Sequence, residues 1–106
     1  MITQQQIGEV INSIVTLYQP EKIILFGSYA NGTATENSDL DLLVVKKSEM
    51  PRYKRGIELR KILRPFKFMF PLDILVFTKD ELYGNIDMSY SFTREILANG
   101  KIVYDK

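Results

Sequence analysis

The sequence contains neither cysteine nor histidine. Disulfides and thiolate metal sites are therefore excluded, and imidazole can serve neither as a metal ligand nor as a general base. Any bound metal ion must be held by oxygen atoms, which points to Mg²⁺, Mn²⁺ or Ca²⁺ and away from zinc. No apolar run approaches the roughly 20 residues needed to cross a bilayer, and no basic segment with an apolar core follows Met1. We therefore expect a cytoplasmic protein without a membrane partner.

A length of 106 residues predicts one domain, spanning residues 1–106. The net charge of +1 hides an uneven distribution, because residues 46–67 carry nine Lys and Arg side chains but only two Glu. A basic helix in this segment could face a triphosphate, a nucleic acid or an acidic protein, or it could be a solvated helix face. We expect no nucleic-acid partner, because the segment lacks interleaved exposed aromatic residues.

Four segments have the apolar or alternating pattern of strands: Lys22–Phe26, Asp39–Val45, Leu72–Phe77 and Lys101–Tyr104. Helical spacing predicts helices at about residues 4–18, 51–64 and 86–98, and shorter ones over Tyr29–Asn31 and after Thr78. The alternation of helices and strands predicts an α/β domain with a small sheet of about four strands. The link between the first two strands fits either orientation, so we expect a mixed sheet.

Two of the predicted helices have apolar stripes that we expect to face the core. The first stripe comprises Tyr53, Ile57, Leu59, Ile62, Leu63 and Phe66. The second comprises Ile86, Tyr90, Thr93, Ile96 and Leu97.

Asp39, Asp41 and Asp73 are acidic residues in strands that are otherwise apolar. A charge on the core face of a strand costs several kcal/mol unless it is paired or bound to a metal. Asp39 and Asp41 project to the same face, since alternate residues of a strand do so. Taken singly, Asp39 could be a hydrated residue at a strand start and Asp73 a salt-bridge partner. Together, the three carboxylates could converge on two metal ions about 3.5–4 Å apart.

Gly27 and Ser28 leave the first strand where bare backbone N–H groups can meet an anion. Ser28 is suited to be the N-cap of a short helical turn, and Gly32 suits a left-handed position that ends it. A phosphate site next to a metal site is what a metal-chelated nucleoside triphosphate requires.

Gly27-Ser28, ten further residues and then Asp39-x-Asp41 resemble the signature of the polymerase-β-like nucleotidyltransferase superfamily. Residues 26–34, 37–44 and 95–104 are similar to its minimal branch, the MNT proteins, and the resemblance covers essentially the whole chain. It implies the polymerase-β palm-like α/β fold, with a mixed sheet flanked by helices.

The resemblance also implies roles for the site residues. Gly27 and Ser28 would hold the β- and γ-phosphates of ATP or another nucleoside triphosphate. Asp39 and Asp41 would bind two Mg²⁺ ions, or Mn²⁺, and Asp73 would assist the catalytic metal and activate an acceptor hydroxyl. The reaction would be an in-line attack on the α-phosphorus with pyrophosphate leaving, which needs positioning and charge neutralisation rather than His or Cys.

The sequence departs from the resemblance at Asn31 and Tyr29, where many relatives have Arg, although cations of the basic helix could replace these. It also lacks the helical domain with which larger members bind base and acceptor, so we expect a homo- or hetero-oligomer. The minimal branch is paired with a helical HEPN-type protein, a ribonuclease toxin. Two hypotheses follow. The chain is an antitoxin enzyme that transfers AMP to a partner hydroxyl, or it is a binding module that neutralises the partner by contact alone.

Overall fold

The structure is a computed structural model that describes residues 1–84 and 90–106. Its strands are β1 (Lys22–Phe26), β2 (Leu40–Val45), β3 (Leu72–Phe77) and β4 (Lys101–Asp105). Its helices are α1 (Gln4–Tyr18), α2 (Ser28–Asn31), α3 (Arg52–Leu63), α4 (Lys79–Tyr83) and α5 (Tyr90–Asn99), with a 3₁₀ turn at Arg64–Phe66. Within these ranges, no helix is both long and apolar enough to cross a membrane.

Local sequence signals set the ends of several helices. Thr3 and Thr78 each accept a hydrogen bond from the third helical residue, whose side chain accepts one from the backbone of the cap, so α1 and α4 begin with capping boxes. Gln19 adopts a left-handed conformation and ends α1 before Pro20. Gly32, with φ of +81°, ends α2 in the way that the sequence predicts.

The four strands form one sheet in the order β3-β2-β1-β4. β1 is antiparallel to both β2 and β4, whereas β2 and β3 are parallel and are joined through α3. The predicted mixed α/β sheet of four strands is confirmed. The sequence did not decide how the first two strands are oriented, and the structure shows that they are antiparallel. The parallel pair is what places Asp41 beside Asp73, because both strands enter the sheet at the same end.

Each face of the sheet has its own core. On the first face, α1 and α3 cover alternate strand residues, and the buried side chains include Ile14, Ile23, Leu42, Val44, Leu59 and Val76. On the second face, α4 and α5 cover the remaining ones, and the buried side chains include Ile24, Leu43, Val45, Phe77, Leu82 and Ile96. β1 and β2 are therefore buried on both faces, as their continuous apolar runs predict.

The predicted inner stripe of α3 is wrong in part. Tyr53, Ile57 and Phe66 are 67%, 51% and 46% exposed, whereas Arg55 is only 5% exposed. The helix lies along the edge strand β3, with Gly56 facing the Ile74 carbonyl, so Leu59 and the Arg55 stem make the contact instead. An exposed tyrosine among basic residues also removes the reason for which we expected no nucleic-acid partner.

The second predicted stripe is confirmed in part. Thr93 and Ile96 are buried, but Leu97 is exposed. Ile86 and the side chain of Tyr90, as well as the predicted helix start at residue 86, lie outside the described part of the chain.

Candidate active site

The three predicted carboxylates meet at one end of the sheet, on the face covered by α4 and α5. Asp41 is paired across β1 with Phe26 and across β3 with Asp73, and Asp39 directly precedes β2. Paired residues of neighbouring strands project to the same face, so Asp41 and Asp73 are side by side. The tertiary structure thus brings together residues that are 32 positions apart in the sequence.

The carboxylates share an unfavourable concentration of negative charge. Burial raises the pKa of Asp41, and the charges of Asp73 and Asp39 raise it further. Asp41 is half-buried, whereas Asp39 and Asp73 are exposed. Negative charges that repel one another at a partly buried position indicate a place where a cation would be stabilising.

Asp73 also forms an ion pair, which was the alternative role that the sequence allowed for this residue. Its Oδ1 lies 3.7 Å from Nη2 of Arg60, whose other terminal nitrogen donates to the carbonyl of Leu72 at 3.1 Å. Across residues 1–84 and 90–106, no three acidic side chains are placed so as to enclose an ion. The carboxylates therefore lie together without converging, with Asp73 turned toward the sheet edge.

Gly27 lies directly against the carboxylate of Asp41. Its φ is +73°, and a Cβ at this position would lie 3.1 Å from Cγ of Asp41 and closer still to Oδ2. Both the backbone conformation and the space thus require glycine. The predicted phosphate loop and the predicted metal site are consequently adjacent parts of one site.

Ser28 is the first residue of α2, and Gly27, not Ser28 as the sequence predicts, is its N-cap. The cause is the unusual conformation of Gly27, which begins the helix one residue earlier. Asn31 and Tyr29, at which the sequence departs from the resemblance, both form hydrogen bonds within the fold. The Asn31 Oδ1 accepts from N and Oγ1 of Thr33 at 3.2 and 2.6 Å, and the Tyr29 hydroxyl accepts from the Ile2 N–H at 2.9 Å.

Two cations of the basic segment, Arg55 and Arg52, are engaged in contacts within the fold. α3 packs on the sheet face opposite to the carboxylates, and Arg55 is buried in a bidentate ion pair with Glu81. Arg52 lies over the ring of Phe77 at 4.2 Å. Of the basic residues in this segment, only Arg60 is ion-paired with a site carboxylate within the described chain.

A hollow of about 170 Å³ adjoins Gly27 between β1 and α5. Its lining includes Phe26, Asn31, Phe92, Glu95 and Asn99. Sequence reasoning missed the three residues from α5 as site residues. The available signal was that Glu95 and Asn99 are four residues apart and thus share one side of a helix.

The comparisons with known proteins identify a family and several similar proteins. The family described as nucleotidyltransferase domain matches residues 7–104. The chain is 35% identical over 107 residues to "Putative protein adenylyltransferase MJ0604" of Methanocaldococcus jannaschii, covering 98% of this chain and 100% of that protein. It is 41% identical over 88 residues to "Putative protein adenylyltransferase MJ1305" of the same organism, covering 79% of this chain and 58% of that protein.

Two solved structures have the same fold. One is described as a toxin-antitoxin with AMP-PNP, with a TM-score of 0.57, 23% identity, and coverage of 90% of this chain and 73% of that one. The other is described as a mutant of the toxin-antitoxin MntA-HpeT, with a TM-score of 0.60, 18% identity, and coverage of 93% and 73%. The family match spans nearly the whole chain and includes Gly27, Ser28 and all three aspartates. The chain therefore belongs to the nucleotidyltransferase domain family, as its signature residues predict.

Proposed function

We propose that the protein is a Mg²⁺-dependent nucleotidyltransferase that transfers a nucleoside monophosphate, AMP from ATP, to a hydroxyl of a partner protein. The observation that carries the proposal is the contact between Gly27 and Asp41, with Asp73 as the parallel neighbour of Asp41. It joins a backbone suited to phosphate to a group of carboxylates suited to a cation. The names of the two relatives from Methanocaldococcus jannaschii support protein adenylylation.

The donor set fits Mg²⁺. All three candidate ligands are carboxylates, which are the hard oxygen donors that Mg²⁺ prefers, and the raised pKa of Asp41 reflects a site where added positive charge is favourable. Asp39 and Asp41 would hold the ion at the start of β2, and Asp73 would join them after a rotation away from Arg60. When bound there, the metal supplies neutralisation of the phosphate charge.

The residues of the chain have distinct roles in this reaction. The backbone N–H groups of Ser28 and Tyr29 would donate to phosphate oxygens, because the hydrogen bonds of α2 begin with the N–H of Ala30, which donates to the Gly27 carbonyl. The acceptor oxygen attacks the α-phosphorus, and the bond between that phosphorus and the pyrophosphate oxygen breaks. The proton of the acceptor hydroxyl passes to a carboxylate oxygen of Asp73, whose side chain is exposed to an incoming acceptor.

The proposed partner is a helical HEPN-type toxin, and the biological role is that of an antitoxin. The support is that two solved structures with this fold are described as toxin-antitoxin assemblies, one of them with AMP-PNP. We further propose that the acceptor hydroxyl belongs to this partner.

A second candidate function is neutralisation of the partner by contact alone. It is favoured by the Arg60–Asp73 ion pair, which leaves the carboxylates unconverged, and by Asn31, whose side chain oxygen is occupied by Thr33. In this case the fold would be kept as a binding surface, and neither nucleotide nor metal would be needed.

One experiment separates the two candidates. The protein is incubated with Mg²⁺, ATP labelled on its α-phosphate and the proposed HEPN-type partner, and label transfer is measured for wild type and Asp41→Asn. We expect transfer by the wild type alone, together with a rise in its melting temperature when Mg²⁺ and ATP are added. Absence of transfer, combined with equal neutralisation of the partner by both proteins, would leave the contact mechanism standing.

A further inference from the structure

The hollow beside Gly27 has the size of a ring system. Its volume is about 170 Å³, and a protein cavity of about 150 Å³ is known to admit benzene. It lies where α5 meets the end of β1, and the buried side chain of Ile96 forms part of its lining. The space is thus suited to one flat group that remains partly open to solvent.

The opening of the hollow is next to the carboxylates, at the place where the nucleoside of a bound nucleotide would extend away from them. Phe26 and Gly27 line it, and these are the cross-strand partner of Asp41 and the residue in contact with the Asp41 carboxylate. In the proposed reaction the α-phosphorus lies at the carboxylates, and the ribose is bonded to that phosphate. The ribose and the base attached to it must therefore lie close to the opening of the hollow.

The charge of the lining favours a nucleoside over further phosphate. Among the residues that the structure describes, no Lys or Arg lines the hollow, and Glu95 contributes a carboxylate that would repel an anion. Asn99, one turn further along α5, adds an amide. Within the described chain, neither side chain has a hydrogen-bond partner, so both can bind the polar edge of a base.

Phe92 supplies an aromatic surface at the same place. Its ring meets that of Phe26 edge to face, with centroids 5.9 Å apart and an angle of 90° between the rings, and Phe92 is 42% exposed. An exposed ring held by a second ring offers a stacking platform to a base.

Gly100 keeps this wall close to the sheet. A Cβ at Gly100 would lie 2.6 Å from the Ile96 carbonyl oxygen and 2.7 Å from Cγ2 of Ile24. Only glycine allows α5 to end so near β1. The positions of Glu95 and Asn99 relative to Gly27 are therefore set by backbone packing rather than by flexible side chains.

We propose that this hollow binds the nucleoside of the substrate, with Phe92 stacked on the base and Asn99 and Glu95 hydrogen-bonded to its polar edge. The inference rests on the proposed function and extends it, because it assigns the residues that hold the base. The base would thereby be recognised by residues of α5.

The test uses isothermal titration calorimetry with Mg²⁺-ATP and with Mg²⁺-tripolyphosphate, which has phosphates but no nucleoside. For Phe92→Ala we expect a loss of ATP affinity of roughly 5- to 100-fold, as for removal of one base-stacking ring, and unchanged tripolyphosphate binding. Asn99→Ala should reduce ATP affinity alone, and Phe92→Tyr should retain it. Leu97→Ala is the matched control, because Leu97 is exposed on the same helix and does not line the hollow.

The outcomes separate this inference from the proposed function. If wild type binds tripolyphosphate as tightly as ATP, or if Phe92→Ala and Asn99→Ala bind ATP like wild type, the hollow is not the nucleoside site while the phosphate site stands. If wild type binds neither compound, both proposals fail. Circular dichroism of each variant establishes that it is folded.

Discussion

At the scale of single residues, Gly27 and Asp41 depend on each other. Gly27 has a φ of +73° and a ψ of −155°, a conformation essentially restricted to glycine, and it packs against the Asp41 carboxylate. Gly32, at the other end of α2, also has a positive φ, but a Cβ added there would have no neighbour within 4 Å. A comparison of the two glycines therefore separates the free-energy cost of the positive φ from the cost of a collision with Asp41.

We predict that Gly27→Ala costs more than about 2 kcal/mol of unfolding free energy, because strain and collision with Asp41 add. Gly32→Ala should cost about 1–2 kcal/mol, from the left-handed conformation alone. Urea unfolding measures both, and calorimetry with Mg²⁺-ATP should detect loss of binding for Gly27→Ala only. Equal stability losses with retained binding would show that the Gly27–Asp41 contact is dispensable.

A second prediction concerns Asp41 itself. Its pKa is raised above the ordinary 3.8 by burial and then by Asp73 and Asp39, so the folded protein binds this proton more tightly than the unfolded chain. Stability is therefore lost as pH rises through the window above 3.8. At pH 7 without metal, Asp41→Asn should raise the melting temperature, while nucleotidyl transfer falls at least about 100-fold. The control is Glu36→Gln, an exposed loop position, which should change neither; a lower melting temperature for Asp41→Asn would contradict the charge argument.

At the scale of elements, one buried arginine joins α3 to β3 and α4. Arg55 donates to the carbonyls of Met50 at 2.9 Å and Val76 at 3.2 Å, and it forms the ion pair with Glu81. Arg60, five residues later, forms an exposed pair with Asp73. The two arginines provide a matched comparison of a buried and an exposed ion pair on one helix.

We predict that Arg55→Met destabilises the protein by about 3–5 kcal/mol, because it leaves Glu81 without its main partner in a partly buried position. Arg60→Met should cost less than about 1 kcal/mol, since exposed pairs contribute little. Thermal and urea unfolding of both variants measure the difference. Similar losses for the two variants would mean that burial of Arg55 adds nothing to its ion pair.

The same ion pair predicts how stability depends on pH. Burial acts to raise the pKa of Glu81, but hydrogen bonds from Arg55 and the Thr78 N–H and the charges of Arg55 and Arg52 outweigh it and hold the pKa below 4.5. This stabilisation is fully present above the unfolded pKa and is lost as pH falls through the lower folded pKa. Glu81→Gln should reduce stability at pH 7 and flatten its decline below about pH 4.5. An unchanged acid dependence of the urea midpoint in Glu81→Gln would refute this assignment.

At the scale of the whole molecule, two cores share one sheet. Leu42 and Leu43 are adjacent in β2, fully buried, and belong to opposite faces. That residues 1–106 form a single domain stays a prediction. The strands that the two cores share give a physical reason to expect it. Disruption of either core removes the support of the same strands.

We predict that Leu42→Ala and Leu43→Ala each cost about 2–5 kcal/mol. In both variants, near-ultraviolet and far-ultraviolet circular dichroism should report one coincident unfolding transition. Loss of signal in two steps for Leu43→Ala alone would show that the α4–α5 side unfolds separately from the α1–α3 side.

The sequence by itself determined the elements and the signature. Capping boxes, the turn glycine Gly32 and continuous apolar runs are local properties, and they place the strands and the ends of α1 and α4 correctly. The spacing of Gly27, Ser28, Asp39 and Asp41 was sufficient to indicate the family that the comparisons then established.

Only the tertiary structure decided which side chains share a site. The parallel pairing of β2 with β3 sets Asp73 beside Asp41, and α3 packs on the sheet face opposite to these carboxylates. Packing along an edge strand also buried Arg55 and exposed Tyr53, against the apolar pattern. The reason is that a periodic pattern specifies an amphipathic face, whereas the surface that the face meets is set by contacts between residues distant in the chain.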